Sequence, residues 1–137
     1  MLITGMTFPN FAPREEPLED EVAFNAMKTA IEAGATLWNA GVFYGFGPNG
    51  ELINLELIAR FFDKYPQLAD KVFLAVKGGV NMKTHRPDGN PEFLRQDVDG
   101  ILKALNGKKK LDLYEMARVD KNTYNLLSSK MALTQTN

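Results

Sequence analysis

The sequence predicts an α/β fold with a parallel sheet. Three apolar, strand-like runs begin near residues 36, 72 and 111, each is preceded by a segment of helical periodicity, and the intervals of 36 and 39 residues are nearly equal. No repeat of residue identity accompanies that period, so it is architectural. Right-handed crossovers would bring the loops that follow these strands to one face, where α/β proteins assemble their sites.

The first helix is expected between Pro17 and Ala33. Its apolar stripe is Leu18, Val22, Ala26, Met27, Ala30 and Ile31, with Glu19, Asp20, Glu21, Asn25 and Lys28 on the other side. Pro17 suits a first turn, the acids from Glu15 to Glu21 favour the positive end of the helix dipole, and Gly34 is placed to stop it. Thr36-Leu37-Trp38 reads as a strand and residues 39–50 as a loop with four glycines and one proline. A second helix fits Leu52 to Phe62 on the spacing of Leu52, Leu55, Ile58, Ala59 and Phe62, and Tyr65-Pro66 ends it. The run Val72 to Lys77 is almost continuously apolar, as in a parallel strand buried on both faces, and Gly78-Gly79 closes it. Residues 81–90 read as a loop. Asn90-Pro91 then supplies an N-cap and first-turn proline for a third helix, whose face is Phe93, Leu94, Val98, Ile101, Leu102 and Leu105. Gly100 weakens that helix by up to about 1 kcal/mol relative to alanine. The last clear strand is Leu111 to Met116.

Composition narrows the function. With 16 Lys plus Arg against 17 Asp plus Glu, the net charge of −1 gives no electrostatic footprint for nucleic acid. No apolar run reaches the roughly 18 residues of a membrane helix. Absence of cysteine excludes disulfides, a thiolate nucleophile and Cys-ligated zinc. Met1 to Pro9 lack the pattern of a signal peptide, so a cytoplasmic protein with a small-molecule or protein partner is expected. The 137 residues suffice for one modest core but not for a complete (β/α)8 barrel, which needs about 250.

The strand-end rule singles out Asn39 and Tyr44, Lys77, and Ala117-Arg118. A phenol ionises near pH 10 unperturbed, and an adjacent ammonium favours the phenolate, so a Tyr beside a Lys can donate a proton to a carbonyl oxygen. From spacing alone a plainer reading stands beside this one: Tyr44 packs in its glycine-rich loop and Lys77 extends its stem off the strand end.

The string Trp38-Asn39-Ala40-Gly41-Val42-Phe43-Tyr44-Gly45 resembles the aldo-keto reductase motif in which an Asp, and a Tyr five positions later, follow the second barrel strand. Leu74-Ala75-Val76-Lys77-Gly78-Gly79 resembles that family's lysine segment, and Asp112-Leu113-Tyr114 through Arg118-Val119-Asp120 its fourth-strand segment. The similarity runs from about Gly5 to Asn122 and is most like the fungal pyridoxal reductase branch. It implies a partial TIM (β/α)8 barrel, roughly strands 1 to 4 with three intervening helices, over residues 1–123, followed by a divergent polar tail over 124–137. The implied activity is NADPH-dependent reduction of an aldehyde, pyridoxal to pyridoxine in that branch. By the same resemblance Tyr44 is the general acid, Lys77 the cation that tunes it, and Asn39 a catalytic-site residue that hydrogen-bonds the nicotinamide ribose.

Two positions depart from the family pattern: Asn39 replaces an Asp, and Ala117 replaces a His that would donate to the substrate carbonyl. Thr4 to Phe8 resemble only the end of the first strand and the loop after it, and the family places most contacts to the cofactor's adenosine phosphate in the second half of the barrel. The alternative is therefore a catalytically silent, truncated half-barrel that binds a partner or represents an incomplete gene product. Open edges and an uncovered inner sheet face would favour self-association. Elsewhere, His85 is expected to be an exposed loop residue, Lys108-Lys109-Lys110 a solvated turn, and Phe61-Phe62 core. Gly45 to Gly50 lack a P-loop's spacing, and Leu126, Leu127, Met131 and Leu133 could form a short helical stripe.

Overall fold

The structure, a computed structural model, describes residues 2–3, 19–44 and 52–123. In chain order these form β1 (Leu2–Ile3), α1 (Asp20–Glu32), β2 (Leu37–Gly41), α2 (Ile53–Lys64), a 3-10 helix (Pro66–Lys71), β3 (Phe73–Gly78), β4 (Val80–Asn81), β5 (Arg86–Pro87), α3 (Pro91–Leu105) and β6 (Leu113–Met116). The main sheet has the order β1-β2-β3-β6 with every pair parallel, and β4 and β5 make a small antiparallel hairpin. A parallel sheet in chain order, with a helix before each of its last three strands, is a sector of a TIM barrel. Pro17, Leu18, Thr4 to Phe8, the glycine loop 45–50 and the tail 124–137 lie outside the described residues.

Strand alternation splits the sheet into two unlike faces. Trp38 and Ala40 of β2 and Leu74 and Val76 of β3 point to the helices and have no exposed surface. They join Phe24, Met27 and Ile31 of α1, Leu55, Ile58, Phe61 and Phe62 of α2, and Ile101 and Leu105 of α3 in one core. The Trp38 ring lies 5.7 Å from Phe61 and 5.4 Å from Phe62, and its indole N–H donates to the Ala35 carbonyl at 2.9 Å. Burying each large side chain contributes about 1.5–3 kcal/mol. The opposite face carries Leu37, Phe73 and Leu113, each between 44% and 47% exposed. Val72 to Lys77 is thus covered on one face along its whole length and on the other only in part.

The helix faces differ from expectation in detail. α1 buries Ala23, Phe24, Met27 and Ile31, while Val22 is exposed along with Ala26. The larger ring decides the rotation, because Phe24 packs edge-on against Phe61 and Tyr65 at 5.6 and 6.2 Å. α3 buries Ile101 and Leu105 but leaves Leu102 half exposed. Its predicted cap is present: the Asn90 side chain accepts the Glu92 N–H at 2.9 Å, with Pro91 in the first turn. Gly34 leaves α1 at φ +81°, the left-handed conformation that closes a helix.

The lysine turn is also corrected. Lys109 is buried rather than solvated and reaches Asp112 at 2.9 Å, while Lys108 pairs with Asp63 at 2.7 Å. Asp112 Oδ2 also accepts the Leu74 N–H at 2.9 Å, tying the approach to β6 to the start of β3. Burial pushes the Asp112 carboxyl up, but the Leu74 N–H and the Lys109 ammonium outweigh it and hold the group below the ordinary carboxylate range. A depressed carboxylate stabilises the fold fully above its unfolded value, and that contribution disappears as pH falls through the folded value. Urea midpoints should therefore drop more steeply between about pH 5 and about pH 2 in the wild type than in Asp112→Asn. Parallel pH dependences would exclude Asp112 as the source.

Candidate active site

Asn39 is not in a loop but in β2, which continues to Gly41. The β2–β3 register pairs Asn39 with Ala75 and Gly41 with Lys77, and the β3–β6 register pairs Lys77 with Glu115. Asn39, Lys77 and Glu115 therefore share the face opposite the helices. Ala75 between them is small, and the Asn39 amide reaches across it to donate to Glu115 Oε1 at 2.6 Å. Glu115 had no sequence signal, because its relation to Asn39 exists only once three strands are in register.

Beyond Gly41 the chain turns sharply to present Tyr44. The Val42 N–H donates to the Lys77 carbonyl at 2.9 Å, extending the β2–β3 ladder by one bond, and the Tyr44 N–H closes a turn on the Gly41 carbonyl at 3.1 Å. Asn54, in the first turn of α2 and 1% exposed, clamps this turn. Its Nδ2 donates to the carbonyls of Gly41 at 2.6 Å and Tyr44 at 3.1 Å, and its Oδ1 faces the Gly41 N–H at 3.5 Å. The sequence reading missed Asn54; a polar residue at a helical core position is the signal that marks it.

The Lys77 ammonium lies 4.9 Å from the centroid of the Tyr44 ring, a cation–π contact. Past Lys77 the backbone is packed too tightly for side chains. A Cβ on Gly78 would lie 2.1 Å from Asp97 Oδ2, and Gly79 adopts φ +71°. Asp97 of α3 accepts the Gly79 N–H at 2.8 Å and the Tyr114 hydroxyl at 2.7 Å. Burial and the neighbouring Asp97 both push the Tyr114 phenol up, so it stays a neutral donor. The Ala117 N–H donates to the Gly78 carbonyl at 2.9 Å, which brings the chain after β6 to the same strand end.

Together these segments line a cleft of about 550 Å³. Tyr44, Lys77, Ala117 and Arg118 form part of its wall, so the structure brings these strand-end candidates into one place, whereas Asn39 on β2 is not among the described residues that line it. His85 is exposed, as expected of a loop residue, and it also lines the cleft. The β4–β5 hairpin carries it there: the His85 N–H donates to the Asn81 carbonyl at 2.8 Å, and φ is +54°, a left-handed conformation more accessible to His than to bulkier residues. Among the described residues no cluster of three metal-ligating side chains exists, and no helix is long and apolar enough to cross a membrane.

The sequence pattern of the aldo/keto reductase family matches residues 3–136. Probable pyridoxal reductase 2 of Schizosaccharomyces pombe is 47% identical over 116 residues, which cover 85% of this chain and 34% of that protein. A Saccharomyces cerevisiae protein assigned as a pyridoxal reductase is 33% identical over 124 residues, 87% of this chain and 34% of its own length. The chain thus spans about a third of the curated relatives it matches. A solved structure from Pseudomonas aeruginosa, assigned to the aldo-keto reductases, shares the fold with a TM-score of 0.67 at 17% identity, over 92% of this chain and 44% of that one.

The Asn54 clamp gives a direct test. Asn54→Ala leaves two carbonyls of the Tyr44 turn without their donor and should cost about 1–3 kcal/mol in urea denaturation. Asn54→Asp, equal in size but lacking the Nδ2 donor, should also destabilise at neutral pH. Wild-type stability in both variants would show that the clamp does not hold the turn.

Proposed function

The chain belongs to the aldo/keto reductase family, and on that premise we propose that its strand-end cleft serves the NADPH-dependent reduction of an aldehyde, with pyridoxal the favoured substrate. The observation that carries this reading is the Tyr44–Lys77 pair, a phenol and an ammonium in contact at the wall of a cleft of substrate size. Similarity to pyridoxal reductases of two yeasts supports the substrate.

The residues present suit the reactive end of the cofactor. Phe43, Val80, Met82 and Pro87 give the cleft an apolar lining for a flat ring, and by the family resemblance Asn39 would hold the ribose. When bound, a reduced nicotinamide supplies the hydride that the carbonyl carbon accepts. Tyr44 then gives its hydroxyl proton to the carbonyl oxygen, so the aldehyde becomes an alcohol and Tyr44 a phenolate. The Lys77 ammonium stabilises that phenolate by proximity, in a wall partly shielded from water. Asn54 and Asp97 act further back, holding the backbone on either side of the pair. Ala117 offers no donor to the carbonyl. Pyridoxal carries a phenolic hydroxyl beside its aldehyde, which can make that hydrogen bond internally.

A second reading is favoured by the exposed row Leu37, Phe73 and Leu113. A sheet face left apolar invites another polypeptide, and a catalytically silent half-barrel that self-associates would use it so. Titration of the chain with NADPH, followed by pyridoxal turnover, separates the two. Tyr44→Phe should lower kcat by about 100-fold or more while cofactor affinity stays unchanged. A folded chain that neither binds NADPH nor turns over supports the silent reading. Ala117→His should accelerate an aldehyde lacking the ortho hydroxyl more than pyridoxal, and equal effects on the two would remove the role assigned to that hydroxyl.

A further inference from the structure

Lys77 has neighbours of two kinds on the open face of the sheet. Its ammonium lies 4.9 Å from the centroid of the Tyr44 ring. Its register partner on β6 is Glu115, and neighbouring strands stand about 4.8 Å apart with paired side chains on the same face. Opposite charges so placed would ordinarily join, yet among the described residues Lys77 and Glu115 form no direct ion pair. Asn39 accounts for this. Its amide donates to Glu115 Oε1 at 2.6 Å from across Ala75, and it sits on β2 two positions before Gly41, the residue in register with Lys77. The carboxylate is thereby drawn along the face toward the start of the strands, whereas Tyr44 lies past their other end.

Accepting from a neutral amide leaves Glu115 its charge, because an ionised carboxylate has several lone pairs and no proton to give. Glu115 and Lys77 are both only partly exposed, so their attraction is less screened than on open surface. Other acids nearby keep their charge too but are placed differently. Asp97 lies on the helix side of the sheet, bound to the Gly79 N–H and to the hydroxyl of Tyr114, whose register partner Val76 points into the core. Asp88 and Asp120 belong to the loops after β5 and β6, where they accept from the Asn90 and Gly89 N–H groups. The further cations, Arg118 and His85, are exposed at the cleft wall. Glu115 is the acid in register with Lys77, and it is not among the described residues that line the cleft, so it acts on the reaction through Lys77.

We propose that Glu115 is a positioning residue for the Tyr44–Lys77 pair: locked by the Asn39 amide, its carboxylate keeps Lys77 an ammonium on the open face without drawing it off the phenol. This deepens the reduction proposed above, and its consequence for turnover rests on that reading. A tyrosine that becomes a phenolate needs a cation beside it as its proton leaves. An ammonium with no anion near it gives up its proton more readily, and one closed into a tight ion pair has its field cancelled at the phenol. A carboxylate held one step away avoids both. The amide at 39 is then the neutral lock on Glu115, and a carboxylate in its place would set two like charges against each other.

The test follows the proton on Lys77 in the full chain without cofactor, by NMR of isotope-labelled lysine, with Lys77→Met identifying the signal. Glu115→Gln keeps the size of the side chain and an acceptor for Asn39 and removes only the charge, so Lys77 should lose its proton at a pH lower by about half a unit to one unit. Asn39→Ala releases the carboxylate to close on Lys77 and should move the same titration upward. A merely structural Glu115 would move neither. Titrations that coincide in wild type and Glu115→Gln, including a Lys77 that stays charged in both until the chain unfolds, overturn the proposal, and so does an Asn39→Ala titration that does not rise. Turnover is read separately: with NADPH and pyridoxal, the alkaline limb of kcat/KM should move to lower pH in Glu115→Gln by the same interval. A shifted Lys77 titration without turnover removes the reductase and leaves the coupling of Glu115 to Lys77, whereas turnover with coincident titrations removes the coupling alone.

Discussion

The pairing of β2 with β3 is the constraint on which the rest of the molecule depends. Five residues in register, from Leu37 opposite Phe73 to Gly41 opposite Lys77, fix how far each strand extends, and the bond from Val42 to the Lys77 carbonyl adds a last rung. A slip of β3 by one residue would turn Leu74 and Val76 to the open face and Lys77 into the helices, and a slip of β2 would do the same to Trp38. The cost of turning Trp38, or Leu74 and Val76, out of the core is far greater than any local preference of the loops. Burial on one face therefore sets the chemistry on the other.

Packing against the sheet also explains why the strand-end backbone is tied down by polar side chains of the helices. Asn54 in α2 and Asp97 in α3 both direct polar atoms at backbone near the strand ends. A turn leaving a strand has carbonyls and N–H groups with no ladder partner, and a buried one must find its partners from a neighbouring element. The helix that follows each strand is the nearest element available. Consequently each α/β unit supports its own strand-end loop, and Tyr44 and Lys77 are held from opposite sides by different helices.

Period and order were legible in the sequence; lateral contacts were not. The three helix–strand units, the Asn90 cap and the Gly34 stop follow from spacing and from residues with special backbone preferences. The face of α1 was misread because periodicity alone weighs Val22 like Phe24, whereas a ring that can meet two other aromatics dominates the rotation. Lys109 was misread because a charge run looks solvated until Asp112, three residues away, is folded back beside it. Tyr44 and Lys77 stood out by type and by strand-end placement. Glu115, Asn54 and His85 did not, since their relevance depends on register, on a helix packed behind a turn, and on a hairpin whose two strands are only two residues each.

The two positions that the resemblance reads as departures, Asn39 and Ala117, alter what surrounds the Tyr44–Lys77 pair. An amide at 39 takes a negative charge off the face that Lys77 shares, and Glu115, which lies beside Lys77 in register, is engaged by that same amide. Alanine at 117 removes a side-chain donor and leaves Arg118 as the next side chain at the rim. The first change replaces a carboxylate by an amide and the second removes a donor, while the Tyr44–Lys77 contact stays in place. In the proposed reaction the proton donor and its cation are retained, and what differs is how the substrate is held.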